Sequence, residues 1–294
     1  MKIIKECPVC VGTEFLQKIE CKDHTVSGET FSIMECQQCR FLFTSPRPYD
    51  VHLPDYYKSN EYISHSDTSS GLINKLYKAV RRLTLRSKLK LIKPYLSNNE
   101  LLDIGAGTGA FLSFCKEKGI NTYGIEPDAD ARKIASEKHG IDLFTEDALN
   151  TLPGDKFSII TMWHVLEHVS DLKEYLVQLK RILHPNGRLV IAVPNHISDD
   201  AKRYGKYWAA YDVPRHLYHF SPDTIKILFE KNQFRMDFVK PMIFDAYYVS
   251  LLSEKYKTGK SNYLKAFYSG LISNMKGGGD KFSSMIYVFS KIAP

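Results

Sequence analysis

Four cysteines near the start of the chain are spaced as metal ligands. They form two C-x-x-C pairs, Cys7 with Cys10 and Cys36 with Cys39. Each pair can place two thiolates on one side of a tight turn, and the intervening residues 11–35 are long enough for a β-hairpin. Two such turns facing each other would make a tetrahedral four-sulfur site that suits Zn²⁺ in a structural role, since no open position remains for catalysis. Cys21 and His24 lie between the pairs, so a ligand set of three cysteines and one histidine stays open.

A glycine-rich turn begins the part of the sequence that can bind a nucleotide. Residues 100–112 combine an apolar strand, the turn from Gly105 to Gly109 and the start of a helix. Glycines there let the backbone pass close to a ligand, beside a helix N-terminus. A second strand ends at Glu126, 21 residues after Gly105, where a carboxylate can bind ribose hydroxyls. The turn also satisfies the loose dinucleotide fingerprint, but Asp103 stands inside the strand, where an NAD site usually has an apolar residue.

The blocks that follow this turn resemble those of one enzyme family. The stretch from Leu102 to Gly109 resembles motif I of the class I S-adenosylmethionine-dependent methyltransferases. Further matching blocks are the acidic end of strand two at 126–128, the acidic loop after strand three at 146–148, strand four with its loop at 157–169, and strand five at 183–195. The resemblance covers about residues 71–240. It implies an α/β fold with a seven-stranded, doubly wound, Rossmann-like sheet, whose last and antiparallel strand would be residues 283–292.

The resemblance also implies a cofactor site on the loops after these strands. Its residues would be Asp103, Gly105, Ala106, Gly107, Gly109, Glu126, Pro127, Asp147, Ala148, Trp163 and His164. Glu126 would accept hydrogen bonds from both ribose hydroxyls, and Asp147 would bind the adenine amino group beside the Ala148 amide. Trp163 and His164 would close the methionine end. Capping of a turn is the alternative role for the acidic residues.

An aromatic segment after the predicted strand five bears the candidate catalytic residues. Residues 204–221 contain four tyrosines, one tryptophan and two histidines, and Pro214 with the lack of periodicity predicts a loop beside the active site. The segment resembles zinc-ribbon sugar methyltransferases, in which the histidine of a Glu-His pair is linked to the role of base. His216 matches that histidine, while Arg215 replaces the glutamate and would rather bind a phosphate or carboxylate. We predict His216, or else His219, as the catalytic base, against the alternative that both only pack or cap.

The chain is predicted to have three parts. Residues 1–48 would form the zinc-ribbon, 49–98 a connecting helical segment over the cofactor site, and 99–294 the methyltransferase domain with helical cap insertions at about 196–222 and 241–282. In the connecting segment, Tyr56 or Tyr62 could cover the cofactor's sulfonium, since an aromatic face attracts positive charge. Plain core packing is the alternative for both tyrosines.

Basic side chains are concentrated in two stretches. Residues 71–96 hold 8 basic and no acidic side chains, and residues 201–294 hold 15 basic and 7 acidic ones, in a chain with a net charge of +7. This asymmetry indicates an anionic partner, although a solvated basic face gives the same pattern. No run approaches the roughly 18 apolar residues of a membrane span, and the N-terminus lacks an apolar stretch long enough for a secretory signal. We therefore expect a soluble, cytoplasmic protein.

The sequence predicts an S-adenosylmethionine-dependent methyltransferase that acts by O- or C-methylation on a small-molecule, sugar, or lipid- or nucleotide-linked acceptor. Residues 162–165 stand where many amine methyltransferases carry an Asn/Asp-Pro-Pro-aromatic motif, and their sequence Met-Trp-His-Val argues against methylation of a nucleobase amine. Two alternatives stay open. One is an RNA methyltransferase that grips phosphates with its basic helix, and the other is a cofactor-binding regulator or scaffold without turnover. The sequence leaves the oligomeric state open.

Overall fold

The computed structural model of the protein describes residues 1–58, 72–260 and 262–292. In the helix that begins at Leu72, side chains are described from Val80 onwards. Tyr62, one of the two tyrosines predicted to cover the cofactor, lies outside the described residues. Tyr56, the other one, donates its hydroxyl to Glu29 Oε2 at 2.6 Å, and its ring lies edge-on to Phe31 with 5.9 Å between the centroids. Tyr56 therefore packs on the N-terminal part of the protein.

The described residues form two sheets, with helices between the strands of the larger one. The strands are β1 (Phe15–Lys22), β2 (Thr30–Cys36), β3 (Leu42–Thr44), β4 (Glu100–Ile104), β5 (Asn121–Ile125), β6 (Phe157–Trp163), β7 (Leu183–Pro194), β8 (Tyr218–His219), β9 (Phe234–Pro241) and β10 (Ser284–Lys291). The helices are α1 (Leu72–Ile92), α2 (Ala110–Lys116), α3 (Ala129–His139), α4 (Ala148–Thr151), α5 (Leu172–Ile182), α6 (Asp199–Tyr204), α7 (Pro222–Lys231), α8 (Asp245–Thr258) and α9 (Tyr263–Lys276). Short 3₁₀ helices lie at Asp50–Tyr57, Lys93–Tyr95, Leu166–His168, Gly205–Tyr207 and Ala209–Tyr211.

The smaller sheet is antiparallel and has the order β1-β2-β3-β8. Its first hairpin turns on Asp23, whose carboxylate accepts backbone N–H groups from the turn residues Thr25, Val26 and Ser27. Strand β8 comes from much later in the chain and adds to the free edge of β3, with Phe43 opposite Tyr218. The N-terminal hairpin therefore completes its sheet only with a strand from the segment that bears the two candidate bases.

The larger sheet is mixed and Rossmann-like, with the order β5-β4-β6-β7-β10-β9. The first four strands in this order are parallel, and β10 is antiparallel to both of its neighbours, β7 and β9. In β6 every residue from Phe157 to Met162 is buried, as expected for a central parallel strand covered on both faces. The prediction of an antiparallel last strand near residues 283–292 is confirmed by β10.

Within the described residues the larger sheet has six strands, so the prediction of seven was wrong. At the place of the expected third strand, the chain makes a single bridge between Ile125 and Phe144. Phe144 donates its N–H to Gly124 O and accepts from the N–H of Glu126, both at 2.9 Å. The chain then enters α4 at Ala148, so the pairing with β5 ends after these two hydrogen bonds.

Local sequence explains where several helices begin and which face they bury. Asp128, Asp171 and Ser221 each accept the backbone N–H of the residue three positions later and so cap α3, α5 and α7. The buried side chains of α5 recur at helical spacing, namely Leu172, Tyr175, Leu176, Leu179 and Ile182. This apolar stripe belongs to the same buried cluster as the strands of the larger sheet, so it holds the loop between β6 and α5 in place.

Residues 204–221, predicted as a loop, contain two 3₁₀ helices and strand β8. The segment folds around Trp208, whose buried indole Nε1 donates to Asp200 Oδ2 at 2.9 Å. The ring of Tyr211 lies edge-on to this indole, with 5.0 Å between the centroids. Each of these elements spans only two or three residues, which is too short to give the sequence a periodic pattern.

Residues 241–282 contain the helices α8 and α9, which pack on each other. The rings of Tyr247 and Phe267 stack with 5.2 Å between centroids. Gly270 allows the close approach, because a Cβ there would lie 2.8 Å from Tyr247 Cδ1. The opposite face of α9 exposes large apolar side chains, among them Leu264 and Met275. None of the helices in the described ranges is both long and apolar enough to span a membrane.

One hydrophobic core joins the two sheets. Phe43 of β3 and Phe41, which directly precedes that strand, are fully buried in the same cluster as Leu189 and Ile191 of β7. Phe41 also packs against Phe220, with 5.5 Å between ring centroids. The N-terminal residues therefore form part of the body of the protein and share its core.

Candidate active site

The glycine turn after β4 approaches the end of β5 closely. Gly105, Gly107 and Gly109 have positive φ angles of 70°, 54° and 74°. The N–H groups of Gly105 and Ala106 both donate to Ile125 O, at 2.8 and 3.0 Å, so the turn wraps over the carboxyl end of β5. A Cβ on Gly107 would meet no described atom within 4 Å, which leaves space for a ligand at this point of the turn.

Replacing Gly105 by alanine is expected to lower the free energy of unfolding by about 1–3 kcal/mol. The new Cβ would lie 2.3 Å from Val165 Cγ2 and would sit on a residue with φ of +70°. Gly107→Ala is the matched control, since it carries the same left-handed strain in open space. Urea unfolding of both variants measures the difference, and equal loss of stability in the two would show that contact with Val165 is not the limiting factor.

Glu126 lies at the end of β5 and faces the glycine turn. Its side chain is largely buried, and Oε2 accepts the Gly107 N–H at 2.7 Å. Oε1 accepts the Asp128 N–H at 3.0 Å. Burial raises the pKa of Glu126, while these two amide hydrogen bonds oppose the rise. A carboxylate offers about four acceptor positions, so Glu126 can still accept two hydroxyl groups.

The loop at 146–148 supplies an exposed carboxylate next to this turn. The bridge from Ile125 to Phe144 brings the loop to the end of β5. Asp147 precedes α4 and makes no capping hydrogen bond to it, so its carboxylate stays available. The Ala148 amide, which was predicted to lie beside the adenine, already donates its N–H to Thr145 O at 3.1 Å.

A buried acid and a lysine lie behind the glycine turn. Asp103 is 2% exposed and accepts the hydroxyl of Thr161 at 2.5 Å, and burial raises its pKa to about 6. Lys88, from α1, places Nζ 4.1 Å from the ring centroid of Trp163 and 5.6 Å from that of Phe111. Burial lowers the pKa of Lys88 to about 8, and the charges of Asp103 and Asp245 oppose this effect.

Sequence reasoning missed Lys88. It assigned the lysines and arginines of this helix to a solvated or phosphate-binding face. Leu85, Lys88 and Ile92 follow one another at spacings of three and four, which places the lysine on the apolar side of α1. A lysine at an otherwise apolar position of the helix was the sequence signal that could have identified Lys88 as buried.

His164 lies immediately after β6 and links three elements of the site. It has a positive φ of 59°, and its N–H donates to Ala192 O at 2.9 Å. Its Nδ1 lies 3.3 Å from Glu167 Oε1, and its Nε2 lies 3.2 Å from Asp245 Oδ2. Burial disfavours a charged imidazole here, but the two carboxylates outweigh that effect and raise the pKa of His164 to about 10. His164 is therefore a cation at neutral pH that ties the loop after β6 to α8.

His216 lies at the same edge of the sheet, against the loop after β6. Its Nδ1 lies 2.9 Å from Ala210 O, and its Nε2 lies 4.0 Å from both Glu167 Oε1 and Asp212 Oδ2. The ring of His168 packs edge-on against it, with 4.6 Å between the centroids. The structure thus brings the predicted base together with a buried carboxylate and a second histidine that the sequence analysis did not select.

Arg215, which was expected to bind a phosphate or carboxylate, binds carboxylates of its own chain. The guanidinium is 1% exposed, and Nη2 donates to Asp212 Oδ1 at 2.7 Å and to Asp23 Oδ1 at 2.9 Å. Nη1 donates to the Tyr56 carbonyl at 2.9 Å. Arg215 therefore connects the N-terminal sheet to the residue that precedes His216.

A family model described as a methyltransferase domain matches residues 76–237, more than half of the chain. This match spans the glycine turn, Glu126 and the loop after β6. The chain belongs to the methyltransferase-domain family.

Proteins of similar sequence carry the same description. An uncharacterized methyltransferase of Geobacillus kaustophilus is 28% identical over 157 residues, which cover 49% of this chain and 73% of that protein. A ubiquinone biosynthesis O-methyltransferase of Rhodopseudomonas palustris is 32% identical over 105 residues, which cover 34% of this chain and 42% of that enzyme. The match to the second relative thus spans less than half of its length.

Solved structures show the same fold. A SAM-dependent methyltransferase from Archaeoglobus fulgidus has a TM-score of 0.50 at 22% identity, with 72% of this chain and 94% of that chain covered. A geranyl diphosphate C-methyltransferase from Streptomyces coelicolor, in complex with Mg²⁺, geranyl diphosphate and S-adenosyl-L-homocysteine, has a TM-score of 0.52 at 14% identity, with 77% and 88% covered. The mixed six-stranded sheet of the methyltransferase belongs to this fold.

His219, the second candidate base of the methyltransferase, lies inside the smaller sheet. It is 4% exposed in β8, and its Nε2 lies 3.2 Å from the hydroxyl oxygen of Thr44 on β3. Its ring packs edge-on against Tyr211, with 5.3 Å between centroids. Burial holds the pKa of His219 well below its usual value. A neutral histidine in this position holds the N-terminal sheet to the rest of the protein.

The four predicted metal ligands of the methyltransferase lie together. Cys7 Sγ is 3.5 Å from Cys39 Sγ, Cys10 Sγ is 3.4 Å from Cys36 Sγ, and all four sulfurs lie within 4.8 Å of one another. Zinc–sulfur bonds of about 2.3 Å in a tetrahedron require sulfurs about 3.8 Å apart, so the cluster is compatible with a zinc site. Neither Cys21, which is buried in the core, nor His24, whose ring stacks on Tyr256, belongs to it.

Proposed function

We propose that this methyltransferase transfers the methyl group of S-adenosylmethionine to an oxygen or carbon atom of a small-molecule, sugar, or lipid- or nucleotide-linked acceptor. The observation that carries the proposal is the position of Glu126. Its carboxylate closes the glycine turn through the Gly107 N–H and keeps acceptor positions for a ribose. The open space at Gly107 lies beside it.

The proposed cofactor site uses groups on three loops, on helix α1 and at the end of strand β6. Glu126 accepts the ribose hydroxyls, and Asp147 accepts the adenine amino group. The backbone of the turn from Gly105 to Gly109 passes along the ribose and the methionine portion. Lys88 and Trp163 close the methionine end, where the lysine supplies the only cation that faces Asp103 among the described residues.

The proposed acceptor site lies at the carboxyl edge of β6, beside His216. In the transfer, an electron pair of the acceptor (a lone pair on oxygen, or the π or carbanion pair of a carbon) attacks the methyl carbon, the carbon–sulfur bond breaks, and S-adenosylhomocysteine leaves. An acceptor hydroxyl must lose its proton in this step. The Nδ1–H of His216 donates to the Ala210 carbonyl, so the neutral ring presents a lone pair at Nε2 to the acceptor side. Holding both reactants in line supplies much of the acceleration.

The N-terminal four-cysteine cluster is proposed to hold one structural Zn²⁺. All four ligand positions are filled by protein, so the ion has no open position for a substrate. Its task would be to fix β3, which pairs with β8. Since β8 follows Arg215 and His216 directly, the zinc site would position the acceptor side from a distance.

Calorimetry with S-adenosylmethionine, S-adenosylhomocysteine and NAD⁺ tests the proposed function. Glu126→Gln is expected to weaken binding of the first two by about tenfold to a hundredfold, because a hydrogen bond to a charged carboxylate is lost or weakened. Glu137→Gln, an exposed position on α3, is the matched control. Binding of NAD⁺ with none of S-adenosylmethionine would contradict the proposal.

A further inference from the structure

A second group of potential metal ligands lies beside the proposed acceptor site. It consists of Glu167, His168 and His216, whose ligand atoms all lie within 4.8 Å of one another. Glu167 and His168 belong to the 3₁₀ helix Leu166–His168 after β6, and His216 follows the 3₁₀ helix Ala209–Tyr211. Two segments about 50 residues apart in the chain therefore bring two imidazoles and one carboxylate to one point.

Both imidazoles are held in the form that binds a metal ion. His216 Nδ1 lies 2.9 Å from Ala210 O, and His168 Nδ1 lies 3.0 Å from Arg215 O and 2.9 Å from Tyr57 Oη. A carbonyl oxygen only accepts hydrogen bonds, so each Nδ1 carries the proton and each Nε2 carries the lone pair. Histidine ligands of metal ions usually donate their other N–H to a carbonyl in this way.

Neither oxygen of the Glu167 carboxylate makes a well-aligned hydrogen bond among the described residues, although His164 lies within ion-pairing distance of one of them. Glu167 is 0% exposed, and its nearest charged neighbour is His164 Nδ1, 3.3 Å from Oε1. A buried carboxylate is costly when one ion pair at 3.3 Å is all that replaces its lost water, because its other acceptor positions stay without a donor. An ion bound between Glu167 and the two Nε2 atoms would supply the missing partner.

The charges around the cluster leave room for a divalent cation. Four carboxylates belong to the cluster or lie close to it. Glu167 is one of its ligands, and Asp212 lies 4.0 Å from His216. Asp245 is linked to the cluster through His164, and Asp23 through Arg215. Arg215 and His164 are the cations in these contacts, so the carboxylates exceed the cations by two even when His164 is counted as charged. Lys88, the next cation, is offset by Asp103.

We propose that Glu167, His168 and His216 bind a divalent transition-metal ion such as Mn²⁺, Fe²⁺, Co²⁺ or Zn²⁺. Two imidazoles with one carboxylate suit these ions, whereas Mg²⁺ prefers an all-oxygen set. Ligand atoms on one ion lie about 3.0–3.4 Å apart, so each donor has to move by less than about 1 Å. Because the chain supplies only three donors, such an ion would keep open positions for an acceptor.

The role of this ion rests on the proposed function. An acceptor hydroxyl bound to the ion would have a lowered pKa and would lose its proton to solvent before methyl transfer. His216 then promotes proton loss as a ligand of the ion rather than by taking the proton itself. The four-cysteine cluster is a separate site with a different ligand set.

Titration of the zinc-loaded, full-length protein with Mn²⁺, with free Mn²⁺ measured by electron paramagnetic resonance, tests the proposal. Mn²⁺ is a poor match for four thiolates, so it reports on the new site. We expect about one bound Mn²⁺ per chain, and binding at least about tenfold weaker in both Glu167→Gln and His216→Gln. His52→Ala, an exposed histidine on Asp50–Tyr57, is the matched control and should bind as the wild type does.

Three readouts keep the interpretation clear. Zinc content and thermal unfolding show whether each variant is folded, and calorimetry shows whether it still binds S-adenosylmethionine. Wild-type protein that binds S-adenosylmethionine but no Mn²⁺ would overturn the metal site and leave the proposed function standing. Mn²⁺ binding that both substitutions leave unchanged would also overturn it. Failure of the proposed function itself would be seen as loss of cofactor binding in the wild type.

Discussion

Replacing His216 by alanine is expected to lower kcat by a factor of about 10² to 10⁴. The substitution removes the Nε2 lone pair that faces Glu167, so the acceptor loses the group that promotes its deprotonation. Cofactor binding should stay within about twofold of the wild type, because His216 lies outside the proposed cofactor residues. The measurement uses a methyl-labelled cofactor and the acceptor found by screening metabolites with the wild-type enzyme.

Two histidine variants control this experiment. His52→Ala changes an exposed histidine and should leave kcat unaltered. His219→Ala separates the two predicted bases, because His219 is buried against Thr44 and its loss should lower the melting temperature more than it lowers kcat. A wild-type kcat in His216→Ala, with an acceptor that carries a transferable proton, would remove His216 from the mechanism.

Removing the proposed zinc ion is expected to unfold the hairpin of β1, β2 and β3 locally and to lower kcat at least about tenfold. Structural zinc supplies roughly 10 kcal/mol or more to folding in small zinc domains, and the two cysteine turns would lose that contribution and keep only their apolar contacts with the shared core. Cys36→Ser should have the same effect, since one thiolate of the four is lost. Hydrogen exchange at Phe31 and Ile33 then measures the hairpin, and kcat measures the active site.

The matched control for the zinc experiment is Cys21→Ser. Cys21 lies in β1, is 2% exposed, and lies outside the cluster of four. Cys21→Ser should lower the free energy of unfolding but leave the zinc content of the protein unchanged. Full activity in a zinc-free protein with an exchanging hairpin would show that the N-terminal sheet does not position the acceptor side.

The cofactor side of the fold could be predicted from the sequence because it depends on short-range signals. Three glycines that need positive φ, an apolar strand before them and an acid at the end of the next strand are all visible within about 25 residues. The structure places Glu126 against Gly107, as this pattern requires. The cluster of four cysteines could be predicted equally well, since the spacing of two C-x-x-C pairs is typical of a metal site.

Apart from His216, the proposed acceptor side could not be predicted from the sequence, because it depends on contacts between distant segments. Glu167 and His168 meet His216 only after β6 and the segment before β8 have been placed by the whole sheet. Lys88 reaches Trp163 from a helix that ends before the first strand of the larger sheet. The missing seventh strand has a local cause that no pattern shows, since the chain leaves β5 after the bridge at Phe144.

The two-residue strand β8 has a consequence for protein engineering. The family match begins at residue 76, so an obvious engineered variant would be a truncation that lacks the N-terminal sheet. Such a truncation would remove β3 from β8 and expose the apolar side chains between them. It would also remove Asp23, one of the two carboxylates that pair with the buried guanidinium of Arg215. Breaking a buried ion pair of this kind costs about 3–5 kcal/mol of folding free energy. A chimera with the N-terminal sheet of another protein would face the same penalty unless that sheet carries an acid at the position of Asp23. The N-terminal sheet and the methyltransferase domain of this enzyme therefore have to be kept together in any engineered variant.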